Sequence, residues 1–232
     1  MIHNLPLYVP GLFILSVIIT YLFFISAVNK NNSISTTVIV SGIIVGWLGI
    51  QYVLAMNKFY QETNTIPPRF AFLAIPPLIV IIIVFITKSG RSFIDSLPPS
   101  TLTMLHSVRI LVELVLFKLF VYRFVPILMT FEGRNFDILT GLSAPLVFYY
   151  GYVRKSISRG FLIAWNLLAM ALLFNVVVMA VFSTPSPFQQ FAFLQPNIAI
   201  QYFPFIWLPC FIVPIVLFAH LATLRNLLKS TP

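Results

Sequence analysis

The chain has 232 residues; 59% are apolar, 8% are charged, and the mean hydropathy is +1.00. Soluble domains carry ~25% charged residues and disordered chains lack apolar ones, so both classes are excluded and a polytopic membrane protein remains. The net charge of +9 fits positive loops on the cytoplasmic face of a bilayer. No basic patch is long enough to follow a phosphate backbone, so lipid and not nucleic acid is the expected partner.

In chain order, residues 1–10 hold no basic run, and no small-residue cleavage site follows the first apolar stretch. That stretch therefore reads as a retained helix and not as a leader. Apolar segments fall at 9–28, 36–55, 70–86, 102–124, 136–153, 161–182 and 203–224. A spanning helix needs ~20 such residues, and hydrocarbon admits only helices or closed barrels, because it offers no backbone hydrogen bonds. Polar connections separate the segments: residues 29–33, residues 57–69 with Pro67-Pro68-Arg69, the basic turn Lys88-Ser89-Gly90-Arg91, and the basic turn at 154–159. Pro98-Pro99 marks a helix start. The predicted fold is an all-α bundle of seven transmembrane helices, a single domain over residues 1–232.

Orientation follows from the basic residues. Lys30, Lys88, Arg91, Arg154, Lys155, Arg159, Arg225 and Lys229 fall on one side; Lys58, Arg69, Arg123 and Arg134 fall on the other. The richer side is cytoplasmic, which puts the N-terminus outside and the C-terminus inside, in what reads as a bacterial inner membrane. Pro76-Pro77 in the third segment and Pro209 and Pro214 in the seventh predict kinks. The uncharged connection 183–202 is too apolar for a solvated loop and is expected to fold back over the bundle mouth or onto the lipid surface.

The fourth segment carries His106, Arg109, Glu113 and Lys118. Ionisable groups at a helix centre cost ~2.5–3.5 kcal/mol each on insertion scales. Spacings of three and four put His106, Arg109 and Glu113 on one face, while Lys118 points elsewhere and snorkels. Arg109 and Glu113 can pair along the helix, but base-before-acid is the poorer order, so partners from other helices are required. Tyr149, Tyr150, Asn166, Asn175, Gln201 and His220 are the candidates. Depth along the helices lets His220 meet His106 near the cytoplasmic side, with Asn166 at a similar depth and Asn175 close in height to Glu113. The stretch 131–137 places Glu132, Arg134 and Asp137 at an outer vestibule, with Asn135 or Asp137 capping the fifth helix.

These groups suggest a small-solute or proton-coupled transporter, with His106, Arg109, Glu113, Asn166, Asn175 and His220 along the substrate or proton path. A second expectation is a membrane-embedded enzyme or metal protein using His106, Glu113 and His220, although no HxxxH or HExxH spacing occurs. A third is a scaffold or sensor subunit that pairs with another membrane protein. The single cysteine, Cys210, excludes an intrachain disulfide and a cysteine-based zinc site. The last segment holds no lysine for a retinal Schiff base. No cofactor is indicated by any motif.

Overall fold

The computed structural model describes residues 5–229; residues 1–4 of the N-terminal stretch and residues 230–232 lie outside the described residues. Among the described residues every regular element is helical. α1 (Tyr8–Asn31) and α2 (Ile34–Met56) are joined by a tight polar turn, where Ser33 Oγ accepts from the Thr36 amide at 3.1 Å and caps α2. α1 buries Val9, Phe13, Val17, Thr20, Phe24 and Ala27, a stripe spaced by threes and fours.

α3 (Ala71–Ile86) ends at Thr87, whose hydroxyl caps α4 (Lys88–Ser96). The two helices meet at 94°. The stretch read as a basic turn is therefore a helix of its own. It is polar and amphipathic, and it packs on α9 (Val213–Lys229). Gly90 sits in the corner: a Cβ there would lie 2.2 Å from the Val84 carbonyl oxygen.

The fourth segment is not one continuous helix. α5 (Pro99–Leu105) and α6 (Val108–Val121) are separated at His106-Ser107. The amides of His106, Ser107, Arg109 and Ile110 reach back three residues instead of four, which tightens the rod without ending it. α6 ends where Arg123 adopts left-handed backbone (φ 63°) and the Phe124 amide bonds the Leu119 carbonyl at 2.8 Å.

Beyond that turn the chain folds back into the bundle. α7 (Ile138–Phe148) continues through one π-helical turn (Tyr149–Val153), so the fifth apolar segment is helical over sixteen residues. Gly141 lets α7 approach closely, since a Cβ there would lie 2.9 Å from Ile110 Cγ1 and 3.3 Å from Arg109 Cβ. α8 (Arg159–Phe182) is capped by Ser158.

The last segment opens with a π-helical turn (Leu208–Ile212) before α9. Pro214 has no N–H to give the Cys210 carbonyl four residues earlier. That carbonyl instead accepts from the Trp47 indole of α2 at 2.9 Å, and the Trp207 indole returns a bond to Leu48 O at 3.1 Å. The kink is thus satisfied from the neighbouring helix, as hydrocarbon requires.

By length and composition four helices can cross a membrane: α1, α2, α8 and the π turn with α9. The bent pair α3–α4 makes a fifth if taken as one span. The Leu208–Lys229 rod is central, with 67% of its apolar window buried, against 11% for α2 at the periphery. The connection 183–202 has a buried stalk and an exposed tip. Ile198 and Ala199 both donate to the Phe124 carbonyl at 3.0 Å, whereas Phe193 and Leu194 stand exposed.

Candidate functional site

The ionisable residues of α5 and α6 are enclosed by protein. His106 is 0% exposed, Arg109 3% and Glu113 1%. Arg109 reaches three acceptors on three elements. Its Nη1 donates to Asp137 Oδ1 at 2.5 Å and to the Ala169 carbonyl of α8 at 3.3 Å. Its Nη2 donates to His220 Nε2 of α9 at 2.8 Å. Because guanidinium only donates, His220 Nε2 is an acceptor. His220 Nδ1 then donates to Asn166 Oδ1 at 2.9 Å, and Asn166 Nδ2 donates to Leu162 O at 2.8 Å. The chain of bonds fixes His220 as neutral imidazole with its proton on Nδ1.

His106 stacks on His220, with ring centroids 3.8 Å apart and planes at 14°, and Trp165 lies edge-on to it at 5.7 Å. Neither His106 nitrogen has a hydrogen-bond partner. The two histidines thus meet by ring stacking and not by a hydrogen bond.

Glu113 is reached from the loop that follows α6. Asn135 Nδ2 donates to Glu113 Oε1 at 2.6 Å and to the Met129 carbonyl at 3.0 Å, while Asn135 Oδ1 accepts from the Asp137 amide at 3.0 Å. Glu113 Oε2 and Arg109 Nε have no partner. One side chain thus holds the loop, the carboxylate and the start of α7 together.

Several sequence expectations need correction. Arg109 and Glu113 form no ion pair with each other; Asp137 takes the cation because the loop folds inward and sets its carboxylate against the guanidinium. Asp137 is accordingly 5% exposed and turned into the bundle, not into an outer vestibule; Glu132 and Arg134 are exposed. Asp137 occupies the N-cap position of α7 without a side-chain capping bond, its carboxylate being held by Arg109. Asn175 Nδ2 donates to the Arg134 carbonyl at 2.7 Å and fastens the loop to α8. Tyr149 accepts from Arg154 Nε at 2.9 Å and Tyr150 is 45% exposed, so neither joins the network. Lys118 is half-buried, with its ammonium 6.0 Å from the Phe117 ring centre.

His106, Glu113 and His220 do not converge as metal ligands. No group of three His, Cys, Asp or Glu side chains with that geometry occurs among the described residues, and both His220 nitrogens are already bonded. From the sequence Asn135 reads only as a cap, and nothing local announces its clamp on Glu113. The signal that could have found the pair Arg109–Asp137 is arithmetic. The chain has five acidic residues, and a guanidinium in hydrocarbon needs one of them.

Arg109, Glu113 and Asp137 stand in the wall of a cavity of about 310 Å³. The rest of its wall is apolar, contributed by α6, Met129, Ile200, the start of α3, the C-terminal half of α8 and the π turn with the start of α9. α3 and α8 each pack on the central rod, and the cavity lies between them. Ile75 and Val181, from these two walls, are 50% and 37% exposed, so the cavity opens at the flank of the bundle.

Residues 66–228 match the model of a family described as a domain of unknown function (DUF8737), and the chain belongs to that family. The matched span contains every residue of the network. No curated protein and no solved structure matches the chain.

Proposed function

We propose that the chain is a proton-coupled transporter of a small solute, with Glu113 as the proton carrier and Arg109 as a fixed charge. The observation that carries this reading is the placement of one guanidinium and two carboxylates, all enclosed, at the wall of an otherwise apolar cavity. Intramembrane charges kept at this cost mark substrate and ion paths more often than packing. Glu113 is suited to the carrier role because Asn135 holds Oε1 while Oε2 is unpartnered, so a proton can arrive without breaking the clamp. Arg109 is held by three acceptors, which suits a charge that stays in place. The moving parts are the proline-bearing elements that wall the cavity, α3 with Pro76-Pro77 and the π turn with α9.

The same reading counts seven crossings: α1, α2, α3, the α5–α6 pair, α7, α8 and the π turn with α9. α5 and α6 count as one crossing because α1 packs along both. α7 counts as a short crossing entered from a loop that dips to the level of Arg109. At 1.5 Å per residue its sixteen residues extend ~24 Å, less than a ~30 Å core. The eight-to-four division of basic residues supports a cytoplasmic C-terminus in a bacterial inner membrane.

Everted vesicles carrying the protein test the proposal. With an acid interior reported by acridine orange, addition of sugars, amino acids, nucleosides, amines or alcohols dissipates the gradient in the wild type for at least one class. Glu113→Gln removes that response at equal expression. A wild type indistinguishable from Glu113→Gln across all classes overturns the reading. A second reading, a subunit docked on another membrane protein, draws on α2, whose apolar surface is the least covered of the long helices. It calls for a stoichiometric partner that co-purifies in mild detergent and is lost when the outer face of α2 is altered.

A further inference from the structure

The cavity between α3 and α8 has three properties that together describe an occupant. It is apolar along most of its wall, it opens where Ile75 and Val181 reach the lipid-facing surface, and it carries polar groups in one part of its wall. Two of those polar groups have unmet hydrogen-bonding capacity: Arg109 Nε–H is an unpartnered donor and Glu113 Oε2 an unpartnered acceptor, one helical turn apart on α6. A buried polar group without a partner calls for an explanation, and where two of them belong to residues lining one cavity, a ligand with matching groups supplies it.

We propose that this cavity binds a single-chain amphiphile with a neutral hydroxyl head, entering sideways from the bilayer. The inference rests on the transporter reading and names the chemical class of its substrate. The hydroxyl matches the unmet groups because it donates and accepts at once: its proton goes to Glu113 Oε2 and its oxygen receives Arg109 Nε–H. An anionic head fits poorly. Arg109 is already paired with Asp137, and Glu113 is a second carboxylate beside them, so an added anion stands against two acids for one base, away from water. A fixed cation leaves the Arg109 donor unanswered, and the wall offers it no cage of aromatic faces. The volume, about 310 Å³, lies at the small end of the ~300–1,000 Å³ range of ligand pockets and suits one chain instead of the two of a phospholipid. The tail needs no hydrogen bonds from the wall, and the wall offers it none.

Photolabelling with a diazirine-bearing hexadecanol tests this on the full-length protein in phosphatidylcholine nanodiscs. The expected result is label on the peptides spanning residues 70–75 and 173–181. Unlabelled hexadecanol competes for it, and hexadecanoate is at least tenfold weaker. Ala74→Phe and Ala180→Phe, from opposite walls, fill the cavity without touching the charged network. Each lowers specific labelling at least tenfold at an unchanged unfolding midpoint, and either one suffices if the other misfolds. Labelling that is absent, that is competed equally by the acid, or that persists in a folded cavity-filled variant overturns the proposal. The vesicle assay separates the two claims. Specific alcohol labelling without coupled proton movement keeps this site and discards transport, whereas coupled movement of another solute class without labelling discards this site alone.

Discussion

Replacing Asp137 by leucine leaves the buried Arg109 guanidinium, 3% exposed in the native structure, with only neutral acceptors at His220 and Ala169. Removing one member of a buried ion pair costs ~3–5 kcal/mol, because the other charge stays buried and uncompensated. In a membrane the unfolded reference finds some polar partners of its own, so the lower half of that range is expected. Arg109→Leu alone strands Asp137 and, beside it, Glu113, and costs a similar ~3–4 kcal/mol. In Arg109→Leu/Asp137→Leu no stranded partner remains, and apolar replacement of a buried pair is often near neutral. Glu113 keeps its Asn135 bond, and a net loss of ~0–2 kcal/mol is expected. The double variant is thus more stable than the sum of the singles by at least ~4 kcal/mol, far above the ~0.3–0.5 kcal/mol scatter of independent sites. Equilibrium unfolding in mixed micelles with increasing sodium dodecyl sulfate, followed by circular dichroism, measures all four corners of the cycle. Additive losses, with coupling below ~1 kcal/mol, would refute the claim that Asp137 is the counter-charge of Arg109.

Other outcomes follow from the same geometry. Trp47→Phe strands the Cys210 carbonyl and lowers stability by ~1–3 kcal/mol; Pro214→Ala in that background supplies an N–H from within the helix and recovers part of the loss in the same unfolding assay. Gly90→Ala puts a Cβ against the Val84 carbonyl oxygen at the α3–α4 corner and costs ~1–3 kcal/mol as overpacking, whereas Gly42→Ala, beside open space on α2, leaves the unfolding midpoint unchanged or higher. Asp95 on α4 accepts from Arg225 Nε at 2.9 Å and also bonds Lys229. The Arg225 hydrogen bond leads in holding its carboxyl below the usual range, with Lys229 adding to it. A depressed acid contributes stability above its unfolded value, near 3.8, and loses it as pH falls through the lower folded value. Asp95→Asn therefore reduces stability at pH 6 slightly, as expected for an exposed pair, and has no effect once both forms are neutral at strongly acid pH. A wild-type-minus-variant difference that grows on acidification contradicts this assignment.

The part of the network that lies on helices was legible from spacing and depth. His106, Arg109 and Glu113 recur at threes and fours, and counting residues from the membrane faces put His220 and Asn166 beside them. Asn135 and Asp137 were not legible as partners, because the stretch around them has the composition of an outer loop. Its inward course depends on the turn at Arg123 and on the Asn135 clamp, neither of which has a local sequence signal. The same holds for the breaks at His106-Ser107 and at residues 208–212. Prolines announce a kink, but which neighbour satisfies the freed carbonyl depends on where α2 happens to lie.

The sequence by itself determined that the chain is helical, with apolar segments of membrane-spanning length, and that the fourth such segment must hide its charges. Hydrophobicity and helical period are sums over neighbours in the chain, and they need no knowledge of the fold. Only the tertiary structure decided who hides them. A guanidinium is neutralised by whatever carboxylate lies within hydrogen-bonding reach, and here that one is 28 residues away in sequence. It arrives because a polar loop re-enters the bundle.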